Sequence, residues 1–415
     1  MLRWRQGKLC ISLVAILLTL NVDSLSFSPV KALGSMRAPY GYAPGKMPDS
    51  AQAPLNFTKP WSVNNWRNIG QKYYFSNYYA LRNRGCSGTD AGVKTISASN
   101  AFYGGVALSD GRVFLVPSNP SAALIVDPAT NTTSVPSGTY PTSPSNYLAT
   151  GILLPDGRVF MAARTGTSAR IYDPAADALS TPAGTYPGGS NAFNGSVLLP
   201  DGRIYISPRS GTAARIYDPA TDTLTTPSGT YPGTSNAFNG SVLLPDGRVY
   251  IAPRSSATAR LYDPLMDTLT TPGGTYPGTT DALSGAVLLA DGRVFCVPCS
   301  STSARIYDPV TDTVTTPAGT YAGNSAFTGA VLLPDGKVFC IPSNSTTAKI
   351  YDPAADTLTT AVGTYPGSGA FCGGVLLADG QVVCVPNGTS TVYIWNGTYG
   401  PQSPIRVLGP FDNKF

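Results

Sequence analysis

The stretch NAFNGSVLLPDGRVYIAPRSSATARLYDPLMDTLTTPGGTYPG, residues 236–278, decides the fold. Its apolar run Gly240–Leu244 stops at Pro245-Asp246-Gly247, and a second run, Val249–Ala252, follows at once. Asp-Gly between two apolar runs marks a hairpin, because Gly tolerates the positive φ that a tight turn demands. Thr258–Tyr262 reads as a third strand, ended by Asp263-Pro264 where Pro removes a ladder donor. Thr268–Thr271 is a short fourth strand, and a Gly/Pro/Thr/Tyr loop leads onward. No stretch carries a helical period.

Outward from this segment the pattern repeats. Asp-Gly recurs at Asp110, Asp156, Asp201, Asp246, Asp291, Asp335 and Asp379, at steps of 46, 45, 45, 45, 44 and 44 residues. Four strands in about 45 residues make one propeller blade. A solenoid coil normally has a shorter period, and a lone four-stranded blade leaves two apolar faces uncovered; seven blades close a ring. The expected architecture is an all-β, seven-bladed β-propeller of four-stranded blades, with an N-terminal signal peptide and an extended arm. In residue numbers, 1–24 is the signal peptide, 25–95 a Pro/Gly-rich and aromatic arm, and 96–415 the propeller. The edges are degenerate: Val126-Asp127-Pro128 replaces Tyr-Asp-Pro in the first copy, and Trp395-Asn396-Gly397 stands in the last. The strand that seals the ring is either Ile405–Leu408 or Gly92–Ile96.

The run L-L-P-D-G-R-V-F followed by A-R-I-Y-D-P-A-T-D-T resembles the kelch repeat of galactose-oxidase-like propellers, over roughly Asn100 to Asn396. The repeat departs from that pattern. Pro-x, as in Pro208-Arg209 and Pro298-Cys299, replaces the Gly-Gly pair, and Leu179, Leu224, Leu269, Val314 and Leu358 replace an aromatic. The resemblance implies a kelch-like fold. The copper oxidase activity of some relatives needs His ligands, so it does not carry over. Propeller sialidases, a looser likeness, use S-x-D-x-G-x-T-W boxes that this chain lacks.

Composition narrows the chemistry. Charged residues are 12% of the chain, with Gly 44 and Pro 37, a turn-rich profile, and hydrophobic residues at 42% supply a core. A net charge of +5 without a basic stripe points away from nucleic acid. There is no His, and all 23 acidic residues are Asp. Ser-His-Asp and Cys-His systems and imidazole metal sites are therefore excluded. The expectation is no catalytic residue, no metal and no cofactor.

Arg3, Arg5 and Lys8 precede the apolar run Leu9–Leu20, too short to span a bilayer and suited to an export signal cleaved near Val22-Asp23-Ser24 or Ala32-Leu33-Gly34. No stable membrane span is expected in the mature chain. Among seven Cys, Cys10 lies in the signal core, and Cys296, Cys340 and Cys384 share an apolar strand slot. Cys86, Cys299 and Cys372 are the disulfide candidates, with Cys86–Cys372 the pairing expected to tie the arm to the last blade. Sequons at Asn56, Asn131, Asn344, Asn387 and Asn396 are candidate glycosylation sites of a secreted chain.

Equivalent positions are compared by counting from each Asp-Gly. Five residues before it only Gly, Ser or Ala occur, as expected of an inner strand crowded round a central channel. The Arg two residues after it is read as a solvated partner of a nearby Asp or of a backbone carbonyl. Asp-Pro-x-x-Asp, as in Asp173 and Asp177, suits an Asx turn better than calcium, which wants six to eight oxygens. Eight residues after each Asp stand Ser118, Arg164, Arg209, Arg254, Cys299, Ser343 and Asn387, on the face opposite the Asp-Gly hairpins. Hairpin symmetry pairs this position with the one seven before, which holds Tyr103, Asn194 and Asn239 among others, and Asn191, Asn236 and Asp281 line the mouth just beyond. Arg supplies a rigid donor fork and Asn both donor and acceptor, a set suited to a carboxylate or a sugar.

The functional expectation is a secreted or surface-exposed, non-catalytic binding or scaffold propeller. It would recognise a glycan, an anionic ligand or a protein partner through Arg164, Arg209, Arg254, Asn191, Asn194, Asn236, Asn239, Asp281 and Tyr103. The alternatives are a structural virion or cell-surface component, and a lyase or hydrolase using Tyr, Asp and Arg at the channel mouth.

Overall fold

A computed structural model describes residues 89–98, 102–118, 122–141, 147–189 and 191–398. They form seven antiparallel four-stranded sheets, the blades of a closed propeller. The signal segment, most of the arm, Cys86, Asn56 and Ile405–Leu408 lie outside the described residues.

Blade four shows the plan, with strands Phe238–Leu243, Val249–Pro253, Arg260–Asp263 and Thr268–Thr270 paired in that order. The second strand of every blade is buried along its whole length, whereas the fourth strands of blades one to five alternate exposed and half-buried residues. Each Asp-Gly turn closes on its own side chains. The Asp246 carboxylate accepts from the Arg248 backbone N–H at 3.0 Å and from Arg248 Nε at 2.7 Å, and the same bonds recur at Asp110, Asp156, Asp201 and Asp291. The Arg after Asp-Gly is thus spent on its own turn.

The first Asp of each Asp-Pro-x-x-Asp run makes the Asx turn: Asp173 Oδ1 accepts from the Ala175 N–H at 2.9 Å. The second reaches the preceding blade. Asp177 accepts from the Ser137 N–H at 2.9 Å, the Ser137 hydroxyl at 2.7 Å and the Tyr172 hydroxyl at 2.7 Å. Asp222, Asp267, Asp312 and Asp356 repeat this link between blades. Each sits at φ 47° to 54°, which a short polar side chain tolerates. The Tyr of each Tyr-Asp-Pro also stacks on an aromatic of the previous blade, as Tyr262 does on Tyr205 with ring centroids 4.8 Å apart. Trp395 takes that role on Phe339. At the junction of the last blade with the first, Val126 and Val383 share one apolar cluster instead.

Thr89–Ser97 seals the ring. It pairs antiparallel with Thr391–Thr398, so blade seven takes its outermost strand from the N-terminal side and includes the last residues of the stretch read as the arm. Ile96 seats in the cluster between blades seven and one.

One expectation is made specific and another corrected. The small residues five before Asp-Gly, on the crowded inner strand, pack against the neighbouring blade. A Cβ on Gly151 would lie 2.6 Å from Val106 Cγ2, and Ala286 and Ala330 sit inside inter-blade clusters. The hairpin pairing is also shifted. A register irregularity between Phe193 and Ser196, with Gly195 at φ 117°, pairs Phe193 with Pro208 and lets the Arg209 N–H bond to Ala192 rather than facing Asn194. A β-bulge adds a residue to one strand, and glycine is its usual carrier.

Candidate active site at the mouth of the ring

The bulge leaves the Arg that follows the second strand in blades two to four clamped by its backbone between two blades. The Arg209 N–H donates to Ala192 O at 2.8 Å within its blade, and its carbonyl accepts from Phe238 N–H of the next at 3.3 Å. Arg254 is held likewise by Ala237 and Leu283, and Arg164 by Tyr147 and Phe193. Three guanidinium groups therefore leave rigid anchor points on three successive blades.

Two of them, those of Arg164 and Arg209, meet on one phenol. Arg209 Nη1 donates to the Tyr103 hydroxyl at 2.8 Å, from blade three to blade one. The Arg164 guanidinium carbon lies 3.8 Å from the centroid of the Tyr103 ring, a cation over a π face. Blade seven fixes the backbone beside that phenol. Phe102 O accepts from Cys372 Sγ at 3.0 Å and from Asn387 Nδ2 at 2.8 Å.

The loops ahead of the next blades supply the partners. Asn236 sits at φ 54°, its N–H on Ser210 Oγ at 2.9 Å, and its side-chain oxygen accepts from Arg209 Nε at 2.8 Å. Asp281 repeats this at φ 52°, with its N–H on Ser255 Oγ at 2.9 Å and Oδ1 accepting from Arg254 Nε at 2.6 Å. Asn191 has the same left-handed backbone, at φ 55°, yet Arg164 Nε is buried with no hydrogen-bond partner. Deeper in the ring, Asn194 donates to Asn239 and Asn239 to Ser284 Oγ at 2.8 Å, a polar ladder along the inner strands.

Electrostatics follow this grading. The bond from Arg254 holds the Asp281 carboxyl below its ordinary range, against the opposing effect of burial. Burial pulls Arg254 down, but Asp281 outweighs it and the net shift is upward. Burial pushes Arg164 down, partly offset by Tyr103. Burial raises the Cys372 thiol to about 12, so it stays protonated at neutral pH.

All nine residues read from the sequence as ligand-binding lie at this end of the ring. Tyr103, Arg164, Arg209, Asn236, Arg254 and Asp281 form the cluster, Asn194 and Asn239 the ladder, and Asn191 shares only the loop position. Cys372, expected to bridge to Cys86, carries a free thiol here. Asn387, a glycosylation candidate, spends its amide on Phe102 O; Asn131 and Asn344 are exposed, and Asn396 is half-buried. Sequence reading missed the backing of Tyr103 by Cys372 and Asn387. Their place eight after and seven before the last Asp-Gly, the positions of the Arg and of Tyr103, was the available signal.

Among the described residues no helix is long and apolar enough to cross a membrane, and no group of three or more Cys or Asp could hold a metal ion.

No protein-family model matches the chain, and no curated protein matches it in sequence. Solved structures do match its fold. Virginiamycin B lyase from Staphylococcus aureus matches with a TM-score of 0.62 at 10% identity, over 73% of this chain and 98% of that one. A catalytically inactive histidine-to-alanine variant of that lyase, with quinupristin, matches with 0.61 at 10% over the same shares. A fungal alcohol oxidase of the AA5 family, in complex with copper, matches with 0.55 at 15% identity, over 75% of this chain and 76% of that one. At these identities the likeness establishes the seven-bladed propeller fold shared with lyase and galactose-oxidase-like structures. It also corrects the expectation of a non-catalytic binding or scaffold protein and of a virion or cell-surface part. The frame around this Tyr- and Arg-lined mouth is one that carries catalysis in the proteins it matches.

Proposed function

We propose that the protein is a lyase whose active site is the mouth of the ring, with Tyr103 as its acid–base group. The observation that carries this reading is the setting of Tyr103: its oxygen takes a hydrogen bond from Arg209, and Arg164 covers its ring. A chain without His needs another proton carrier, and a phenol held in place by guanidinium groups is positioned for the task.

Among the described residues, two of these guanidinium groups have no carboxylate in an ion pair, those of Arg164 and Arg209, whereas Arg254 has Asp281. They are placed to receive a substrate carboxylate. In the proposed step the Tyr103 oxygen, having released its own proton to solvent, takes the proton from the carbon next to the substrate carboxylate. The C–H electron pair forms the new double bond, the bond to a leaving oxygen on the adjacent carbon breaks with its pair, and that oxygen collects the proton back from Tyr103. The two Arg stabilise the charge that develops on the carboxylate. The lyases of similar fold support the reaction class, although the catalytic histidine implied by the inactive variant has no counterpart in this chain. The kelch-like reading of the repeat rests on the Leu-Pro-Asp-Gly-Arg and Tyr-Asp-Pro segments, and export on Arg3, Arg5, Lys8 and Leu9–Leu20.

The test is a screen of uronate glycans and carboxylate-bearing esters, read by ultraviolet absorbance of a new conjugated double bond. Wild type is expected to form an unsaturated acid and Tyr103→Phe none. Equal activity in both proteins overturns the role of Tyr103. A saturated product that has taken up water identifies a hydrolase instead.

A further inference from the structure

The three arginines at the mouth share one backbone design but differ in how their charge is met. Arg254 Nε donates to a carboxylate, Asp281, at 2.6 Å; Arg209 Nε donates to an amide, Asn236, at 2.8 Å; Arg164 Nε has no partner. Asp281 and Asn236 are otherwise interchangeable. Both sit at left-handed φ, 52° and 54°, and both receive a serine hydroxyl on the backbone N–H at 2.9 Å, from Ser255 and Ser210. The repeat therefore contains its own isosteric comparison, in which one site carries a negative charge and its neighbour does not.

From this we infer that Asp281 is a specificity determinant that sets how many negative charges the site accepts. By neutralising Arg254 it confines the substrate anion to the side of the ring held by Arg164 and Arg209, and it limits the site to a monoanion. A second carboxylate reaching toward Arg254 meets the Asp281 oxygens, and like charges at such a distance repel strongly in a partly buried setting. The groups facing Asp281 from the elements around it are Arg254 and Ser255 by direct bond, with Arg209 close enough to add its charge. Asp281→Asn removes one negative charge and keeps the geometry that Asn236 already displays. Arg254 then becomes a third uncompensated guanidinium, and the mouth admits a dianion. The inference rests on the mouth being an anion site, as in the proposed function, but not on any turnover.

The experiment is calorimetric titration of acetate and succinate into the full-length wild type, Asp281→Asn and the reciprocal Asn236→Asp, at fixed ionic strength. Asp281→Asn is expected to bind succinate about ten-fold more tightly than wild type, ~1.4 kcal/mol, with a much smaller gain for acetate. Asn236→Asp, which neutralises Arg209, is expected to weaken both anions. An equal gain for both anions, no gain, or no binding to any of the three proteins overturns the inference. If Asp281→Asn gains succinate while no elimination is ever observed, the charge-setting role stands and the lyase reading falls.

Discussion

Arg209 reaches across the ring to hold the Tyr103 hydroxyl at 2.8 Å, joining residues 106 positions apart in the chain. Only closure of the propeller brings blade three within reach of blade one on the inner face. The bond ties the proposed acid–base group to a guanidinium whose backbone is locked by two blades, so the phenol is oriented before any substrate arrives. Preorganised charge of this kind costs no rearrangement during reaction.

Removing only the Tyr103 oxygen separates chemistry from binding. Tyr103→Phe keeps the ring under Arg164 and leaves the carboxylate-binding guanidinium groups in place. Turnover is expected to fall by about 10² to 10⁴, the usual worth of a positioned acid–base group, while KM changes only a few-fold. Steady-state kinetics on the substrate found by the screen decides this. A loss confined to KM would make Tyr103 a binding residue.

Arg164 is placed for function at the expense of stability. Its guanidinium is covered by Tyr103, its Nε is buried without a partner, and burial pulls its protonation equilibrium down. A half-buried cation whose Nε is left without a hydrogen-bond partner opposes folding. Arg164→Met, similar in length and apolar, is expected to leave the thermal midpoint unchanged or raise it by a few degrees, and to reduce carboxylate binding by at least ten-fold. Differential scanning calorimetry together with titration of acetate reads both. A lower midpoint would show that the contact with the ring stabilises the fold more than burial costs.

The propeller is legible in the sequence because its turns are chemical. Asp246-Gly247 and Asp263-Pro264 mark strand ends whatever lies around them, and seven copies fix the number of blades. Long-range relationships are less visible. Asp177 looks like part of an Asx turn with Asp173, yet its carboxylate serves Ser137, 40 residues earlier in the preceding blade. The bulge at Gly195 depends on close approach of Gly240 in the next blade, which a Cβ on Gly195 would meet at 2.9 Å, so the expected hairpin pairing misplaces Arg209 by two residues. Gly92–Ile96 and Ile405–Leu408 are both short apolar runs. What selects the first is the register of Thr89–Ser97 on Thr391–Thr398, a tertiary pairing. The nine mouth residues were readable as positions, but the grading from Asp281 through Asn236 to the unpartnered Nε of Arg164 emerges only when distances are known.

The inter-blade carboxylates set the acid limit of the fold. Asp177, Asp267 and Asp356 are held below their ordinary range, by the Ser137 N–H, the Ser228 hydroxyl and the Ala318 N–H respectively. Their values in the unfolded chain are higher, about 3.9. Their stabilisation is therefore complete above that value and is lost as pH falls through the folded values. Thermal midpoints measured from about pH 6 down to about pH 2.5 are expected to stay level and then fall below about pH 4. The triple variant Asp177→Asn, Asp267→Asn, Asp356→Asn should start lower and fall less steeply. A wild-type midpoint that does not change over this range would show that the links carry no net stabilisation.

Tyr231 and Tyr186 occupy the same place in successive copies and should respond oppositely to the same substitution. Both rings are buried and pack edge-on against the Phe that follows, Phe238 and Phe193. The Tyr231 hydroxyl hydrogen-bonds to that of Tyr205, whereas the Tyr186 hydroxyl is buried without a partner in a copy where Phe160 replaces the second Tyr. Tyr231→Phe strands the Tyr205 hydroxyl in the core and is expected to cost about 1–3 kcal/mol. Tyr186→Phe removes an unsatisfied polar atom and is expected to be neutral or to stabilise by up to about 1 kcal/mol. Urea unfolding of the two variants measures the difference. Restoring the missing acceptor with Phe160→Tyr should make the Tyr186 hydroxyl stabilising, so that Tyr186→Phe costs stability in that background. If Tyr186→Phe is as damaging as Tyr231→Phe in the wild-type background, the hydroxyl of Tyr186 has a partner in solution, a buried water being the group of the right size and chemistry.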